Sequence, residues 1–358
     1  MNHRKFVMNI EGDYVDSYIY SGYLVLVDSE YKLTIYKWEK LFDESIFING
    51  SPQSFLLREL IKDSRKPIPK NCLKEISLSK DVLKKAKICS FDIGVWPTDL
   101  NVYSNKIYIS SESGVSRIDL NYDSGELGNE TKIFDEMCFS LSPNSHGRLA
   151  FAAGKEGVFT LIPLSNFFSP SDVKQLIPDV CIDLDWQATK LLASTNNGVV
   201  EASFSKMPHN DNYKNKNDFF SAVKKHKTIS PQIITKNNVS CAWIAGDKIY
   251  SLNNNNTINI NSEDLAITKT IGIEGRLLRA RTAAFGTVIE SDNSLIALIG
   301  DDKVNMASDP VSWRVFPRAK NYANQLHIIN DDYISIIVIE SKENNDFGFD
   351  TEKIDLIG

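Results

Sequence analysis

Thr98–Leu120 reads TDLNVYSNKIYISSESGVSRIDL. Apolar residues cluster at Leu100–Val102, Ile107–Ile109 and Val115–Leu120, and between them stand Ser104-Asn105 and Glu112-Ser113-Gly114. A period of two sets one row of side chains toward a core, and Asn, Ser and Gly supply the reversals, so the stretch reads as three antiparallel strands joined by tight turns. The same block returns along the chain, at Tyr14–Trp38, Met137–Leu164, Val180–Phe204, Asn238–Ile260, Arg279–Val304 and Asn324–Glu340.

Anchored on the apolar start of each second strand, at Tyr23, Ile107, Leu149, Leu191, Ile249, Val288 and Tyr333, the blocks are spaced by 84, 42, 42, 58, 39 and 45 residues. A unit near 42 residues is what a four-stranded propeller blade occupies. The interval of 58 holds one unit and a Lys- and Asn-rich insertion over 205–235. The interval of 84 is twice 42, which admits one blade with a long insertion or two blades with one unrecognised. Residues 51–87 read as helix: Ser51-Pro52 suits a helix start, Phe55, Leu56, Leu57, Leu60 and Ile61 share a face, and Ser79-Lys80-Asp81 starts a second helix. A partly helical insertion over 40–95 and seven blades therefore fit better than eight. Fourth strands are expected at Thr131–Phe134, Val173–Ile177, Thr228–Ile234, Ala266–Ile273 and Trp313–Phe316. The last block has a third strand near Phe347–Ile357 and lacks a fourth, which Phe6–Ile10 can supply. The expected fold is thus all-β: a single closed β-propeller over residues 1–358, its ends joined in one blade so that no sheet edge stays open.

Two segments, CFSLSPNSHGRLAFA (Cys138–Ala152) and CIDLDWQATKLLAS (Cys181–Ser194), resemble the inner-strand, turn and second-strand block of WD40-like and YVTN-like propellers. The Gly-His and Trp-Asp dipeptides of WD40 repeats are absent, so that family's Asp-His-Ser-Trp network has no counterpart here. The resemblance implies a fold used mostly for binding partners.

Composition, 42% hydrophobic and 24% charged, is that of a globular protein. Five cysteines without a Cys-x-x-Cys pair suit reduced thiols. With no secretory leader and no apolar run of eighteen residues, a cytoplasmic protein without a membrane span is expected. Net charge is −6, yet residues 51–90 carry ten Lys or Arg against four acids and 205–230 six Lys against two. So acidic a remainder disfavours a general nucleic-acid binder.

Phosphate loops, nucleophile elbows, zinc-protease motifs and dinucleotide-binding loops are all missing, and no cofactor or metal site is expected. Two functional readings stand. In the first the protein is a non-catalytic binding or scaffold module whose partner is another protein. The basic triplets Lys84, Lys85, Lys87 and Lys224, Lys225, Lys227 would flank the partner site, with Trp96 and Trp186 as anchors and Arg279 and Arg281 facing a central channel. In the second it is a channel-type hydrolase or lyase acting through Asp16, Asp99, Asp183 and His327 on inner strands, although the spacing of those acids from their turns is read as irregular. Cys138, Cys181 and Cys241 suit blade packing.

Overall fold

The computed structural model describes residues 3–43, 52–70, 74–144, 148–161, 172–187, 189–204, 215, 217–218, 221, 231–235, 239–246, 248–261, 266–270, 272–300 and 302–340. These fold into 29 strands and three helices, arranged as seven sheets that are the blades of a β-propeller. By contacts the chain falls into two compact units.

One unit holds three blades. After β1 (Lys5–Glu11), the first blade is built of β2 (Tyr14–Tyr20), β3 (Tyr23–Asp28) and β4 (Lys32–Lys37), and closes with β6 (Lys87–Asp92). Between β4 and β6 come helices α1 (Lys40–Asp43), α2 (Pro52–Lys62) and α3 (Lys80–Ala86) and strand β5 (Glu75–Leu78). The helices start and face as sequence chemistry dictates: Ser79 caps α3 by accepting the Val82 N–H, and Leu57, Leu60 and Ile61 of α2 are buried. Phe55 and Leu56 were expected on that buried face and instead are exposed, because five residues there span more of the helix than one packing stripe covers.

The other unit holds four blades, apart from Asp119–Asn129, which groups with the first. They comprise β7 (Pro97–Tyr103), β8 (Lys106–Ser111), β9 (Gly114–Leu120) and β10 (Leu127–Phe134); then β11 (Ser140–Pro143), β12 (Leu149–Ala152), β13 (Val158–Leu161) and β14 (Lys174–Ile177). The third is β15 (Cys181–Gln187), β16 (Lys190–Thr195), β17 (Gly198–Ser203) and β18 (Gln232–Thr235), and the fourth β19 (Val239–Ala245), β20 (Lys248–Asn253), β21 (Thr257–Asn261) and β22 (Ala266–Thr270). In each of these four sheets strands consecutive in sequence are neighbours, the order of a meander.

The two remaining blades belong to the first unit. One is β23 (Leu277–Ala283), β24 (Gly286–Ser291), β25 (Leu295–Ile299) and β26 (Asp302–Ala307); the other is β27 (Ser312–Val315), β28 (Gln325–Ile329), β29 (Tyr333–Ile339) and β1. Here the sequence reading slipped by one strand. The segment at Trp313 opens the last blade instead of ending the one before, and Tyr333 starts a third strand, not a second. The cause is local: Ser312–Val315 is only four residues long and lies between Pro310 and Pro317, the signature of an edge strand. The expected strand over 347–357 lies outside the described residues.

Strand β1 pairs with β29 along its whole length, from Lys5↔Ile339 to Glu11↔Tyr333, so residues near the two ends of the chain share one sheet. Alternation places Phe6, Met8 and Ile10 in the core at 0% exposure. They join a cluster with Leu41, Phe42, Leu57, Leu60, Ile61 and Leu78 of the insertion and Ile334, Ile336 and Val338 of β29. The insertion is also bonded in: β5 adds parallel to β1, Trp38 Nε1 donates to Ile61 O at 2.9 Å, and Ser64 N donates to Asn321 O at 2.8 Å.

Deleting residues 1–11 removes three fully buried side chains and leaves the ladder of β29 unpaired. The expected loss exceeds about 6 kcal/mol, from ~2 kcal/mol or more per large buried side chain. Denaturant unfolding of the truncated chain measures it, and an unchanged midpoint would show that β1 does not hold the blade.

Candidate functional site

Within each unit the first strands of consecutive blades lie against each other without a shared ladder: β7 against β11, β11 against β15 and β15 against β19 in one, β23 against β27 and β27 against β2 in the other. In β2, β7, β15, β19 and β23 the register slips at the same place, after the first residue, which marks a recurring β-bulge. The residue past the bulge is Asp16, Asp99, Asp183, Cys241 or Arg279, each seven positions before its second strand begins. The three acids therefore occupy one equivalent site, and their spacing is regular. Counting from apolar anchors one residue inside some second strands concealed this.

Asp16 accepts from Ser17 N at 2.7 Å and pairs with Arg314 of β27, whose Nη2 lies 2.8 Å from Oδ2 and Nε 3.3 Å from Oδ1. Asp99 accepts from Leu100 N at 2.9 Å and, across to β11, from Leu141 N at 3.0 Å. Two positions further along, Asn101 donates to Leu141 O at 3.1 Å and Asp185 accepts from Ile244 N of β19 at 2.7 Å. These side chains clasp neighbouring first strands. Among the described residues no three His, Cys, Asp or Glu come together as a metal-binding group.

His327 lies on β28, the second strand of its blade, not on the first, and is fully buried. Its Nδ1 lies 2.9 Å from Ser17 Oγ and its Nε2 3.2 Å from Gln325 Oε1, with the Phe316 ring edge-on at 4.6 Å. Desolvation, and then the Arg314 charge, lower its pKa to about 3. The imidazole is thus neutral near pH 7. Cys138 and Cys181 are buried, and desolvation pushes both thiols up to about 12, far from thiolate chemistry.

The basic and aromatic candidates separate. Lys84 and Lys85 are exposed in the last turn of α3, and Lys87 is exposed at the start of β6. Lys224, Lys225 and Lys227 lie outside the described residues. Trp96 is 48% exposed, edge-on to Tyr31 at 5.9 Å. Trp186 is fully buried against Phe204, with ring centroids 5.0 Å apart, so it cannot meet a partner at the surface. Its alternation along β15 aims it inward, which the neighbouring Gln187 had disguised as a loop. Arg279 stands over the Trp313 ring at 5.1 Å, and Arg281 donates to Ala280 O at 2.9 Å.

A surface not read from the sequence lies where β11 and β15 begin. Met137, Phe139, Val180 and Ile182 are exposed, while Cys138 and Cys181 between them are buried. Ile182, at 58%, is the extra residue of the β15 bulge, which turns an apolar side chain outward. The four are joined through Gly154: its N–H and C=O both pair with Cys181 at 3.0 Å, and Phe139 lies over it. Gly154 has φ +56°, and a Cβ there would meet Phe139 Cε2 at 2.7 Å, so only glycine lets the ring settle. In sequence, Asp135 and Glu136 lie just before Met137, and Asp179 and Asp183 flank Val180 and Ile182. The signal available in sequence was the alternation MCF and VCI, apolar on both faces at the entry to a strand.

No protein-family model matches the chain, and no curated protein sequence does. Among solved structures it is similar to PorZ, an essential bacterial surface component of the type-IX secretion system of Porphyromonas gingivalis, with 11% identity and a TM-score of 0.49. That match covers 95% of this chain and 39% of PorZ, so the chain spans about two fifths of its length.

Because the folded His327 titrates near 3 and an unfolded histidine near 6.5, the unfolded state alone takes up a proton between those values. Stability from this group is present above pH 6.5 and is lost as pH falls toward 3. Lowering pH from 7 to 5 is expected to cost about 2 kcal/mol. Urea unfolding at both values, compared with His327→Gln, measures it; equal pH slopes would mean that His327 is accessible to protons.

Proposed function

We propose that the protein is a non-catalytic binding module that docks a segment of another protein on the surface of Met137, Phe139, Val180 and Ile182. The observation that supports this most is the exposure of four large apolar side chains on rigid, hydrogen-bonded strand entries, between two buried cysteines. Exposed apolar side chains grouped in this way mark interaction sites. Asp135, Glu136 and Asp179, next to these residues in the chain, favour a partner whose apolar residues are flanked by Lys or Arg. Asp16 and Asp99 are engaged with Arg314 and backbone N–H groups, which leaves them poorly placed as general bases. Lys84, Lys85 and Lys87 form a separate exposed cluster that can steer an acidic partner.

Met137→Ser with Ile182→Ser tests the reading without touching the core. Both side chains are already exposed, so the thermal midpoint is expected to stay within about 2 °C of the parent. Affinity capture from the native cells, quantified for both chains, should show a stoichiometric protein on the parent whose recovery drops at least about tenfold on the variant, as loss of apolar anchors gives. Equal recovery would move the docking site elsewhere.

A further inference from the structure

Among the described residues the methionines are Met8, Met137 and Met306, and of these only Met137 stands open to water. It is 43% exposed, whereas Met8 is sealed in the terminal blade and Met306 is half-buried against the cluster of Val288, Ala297 and Trp313. The chain beside Met137 is pinned. Cys138 N donates to Ser111 O at 3.0 Å, Phe139 N donates to Ala152 O at 2.9 Å, and the Cys138 thiol donates to Glu136 O at 3.5 Å. The thioether therefore stays at the surface, on a fixed strand entry.

Sulfur chemistry at this position is set by what the cysteines are denied. A thiol reacts with peroxides as its thiolate, while a thioether carries its lone pairs at any pH. Cys138, Cys181 and Cys241 are buried, and desolvation pushes the first two thiols up to about 12. Cys89 is half-buried with its Sγ donating to Gly125 O at 3.4 Å, and burial raises its pKa as well. Among the described residues the Met137 sulfur is thus the soft nucleophile that solvent reaches. It is also one of the four apolar side chains of the surface at β11 and β15. Oxidation turns this adaptable apolar group into a polar one, whose oxygen costs free energy when a partner's apolar residues strip it of water.

We propose that Met137 is a redox modification site: a hydroperoxide converts it to the sulfoxide and so closes the surface of Met137, Phe139, Val180 and Ile182 to its protein partner. The closing rests on the docking reading of that surface. A sulfur lone pair attacks one peroxide oxygen, the O–O bond breaks and an S–O bond forms; with hydrogen peroxide the other oxygen leaves as water. Sulfur gives up two electrons and the peroxide takes them. Two thiols of a reductant reverse the step, forming a disulfide and carrying the oxygen away as water.

The full chain is treated with dilute hydrogen peroxide, cleared with catalase and read by peptide mass spectrometry. One added oxygen is expected on Met137 at least about tenfold faster than on Met8 or Met306, because reaction follows exposure. Affinity capture from the native cells is then compared before and after peroxide for the parent, Met137→Leu and Met137→Gln, none of which alters the core. Leucine keeps volume and apolar character, so that variant should capture like the parent at both stages. The oxidised parent and untreated Met137→Gln should each recover at least about fivefold less partner, and methionine sulfoxide reductase with dithiothreitol should restore the oxidised parent. The proposal is overturned if Met8 or Met306 takes up oxygen before Met137, if peroxide weakens Met137→Leu as much as the parent, or if the oxidised parent captures fully while Met137→Ser with Ile182→Ser does not. Equal capture by the untreated parent and that double variant overturns the docking reading instead, and the closing of the surface with it.

Discussion

Within each unit the described residues of neighbouring blades share no backbone ladder, only the single bridge of Gly154 and Cys181, and that governs the first strands. Each is the edge of its own sheet, so the N–H and C=O groups on its open side need partners that another strand does not supply. Side chains supply them. Asp99 and Asn101 take the N–H and C=O of Leu141, Asp185 takes the N–H of Ile244, Ser194 Oγ takes the N–H of Ala242, and Ser312 Oγ donates to Val15 O. A charged acceptor holding a backbone N–H is among the stronger hydrogen bonds available, and the bulge before Asp16 and Asp99 sets one side chain on Arg314 and the other on Leu141 N. Asp16, Asp99 and Asp185 thus each bond to a neighbouring blade.

The same bulge has an opposite effect one residue earlier. An extra residue in one strand cannot keep strict alternation, and the side chain it carries can leave the core, although Val15 at the bulge of β2 stays buried. In β23 this exposes Leu278 and in β15 Ile182, while Thr98 and Ser240 at the matching places are polar and half-buried. Where the blade entry also carries Met137, Phe139 and Val180, the outward residues merge into a surface that the fold itself does not use. A device that stiffens the joints between blades therefore also creates exposed apolar positions beside them.

The terminal blade solves a different problem. Its last strand comes from the beginning of the chain, so it forms only when distant segments meet, and the helical insertion seals it. Leu57, Leu60 and Ile61 pack on the same cluster as Phe6, Met8 and Ile10, and β5 covers the outer edge of β1. That explains why an excursion between β4 and β6 is kept ordered at both ends by Trp38 and Ser64.

The periodic signals are local, and the sequence alone determined what depends on them. Alternation, turn residues and a 42-residue spacing sufficed for an all-β propeller of seven four-stranded blades, and Ser79 with its following apolar residues sufficed for α3. The strand at Ser312–Val315 was misassigned because four residues between prolines carry too little pattern to distinguish the end of one blade from the start of the next. Functional geometry was harder to read, since it depends on which residue faces which across blades. Trp186 and Trp96 both lie near polar residues in sequence, yet one is sealed in the core and the other is half exposed. The apolar surface at Met137 and Ile182 exists only because strands distant in sequence stand side by side, where burial and hydrogen-bond partners are decided by tertiary packing.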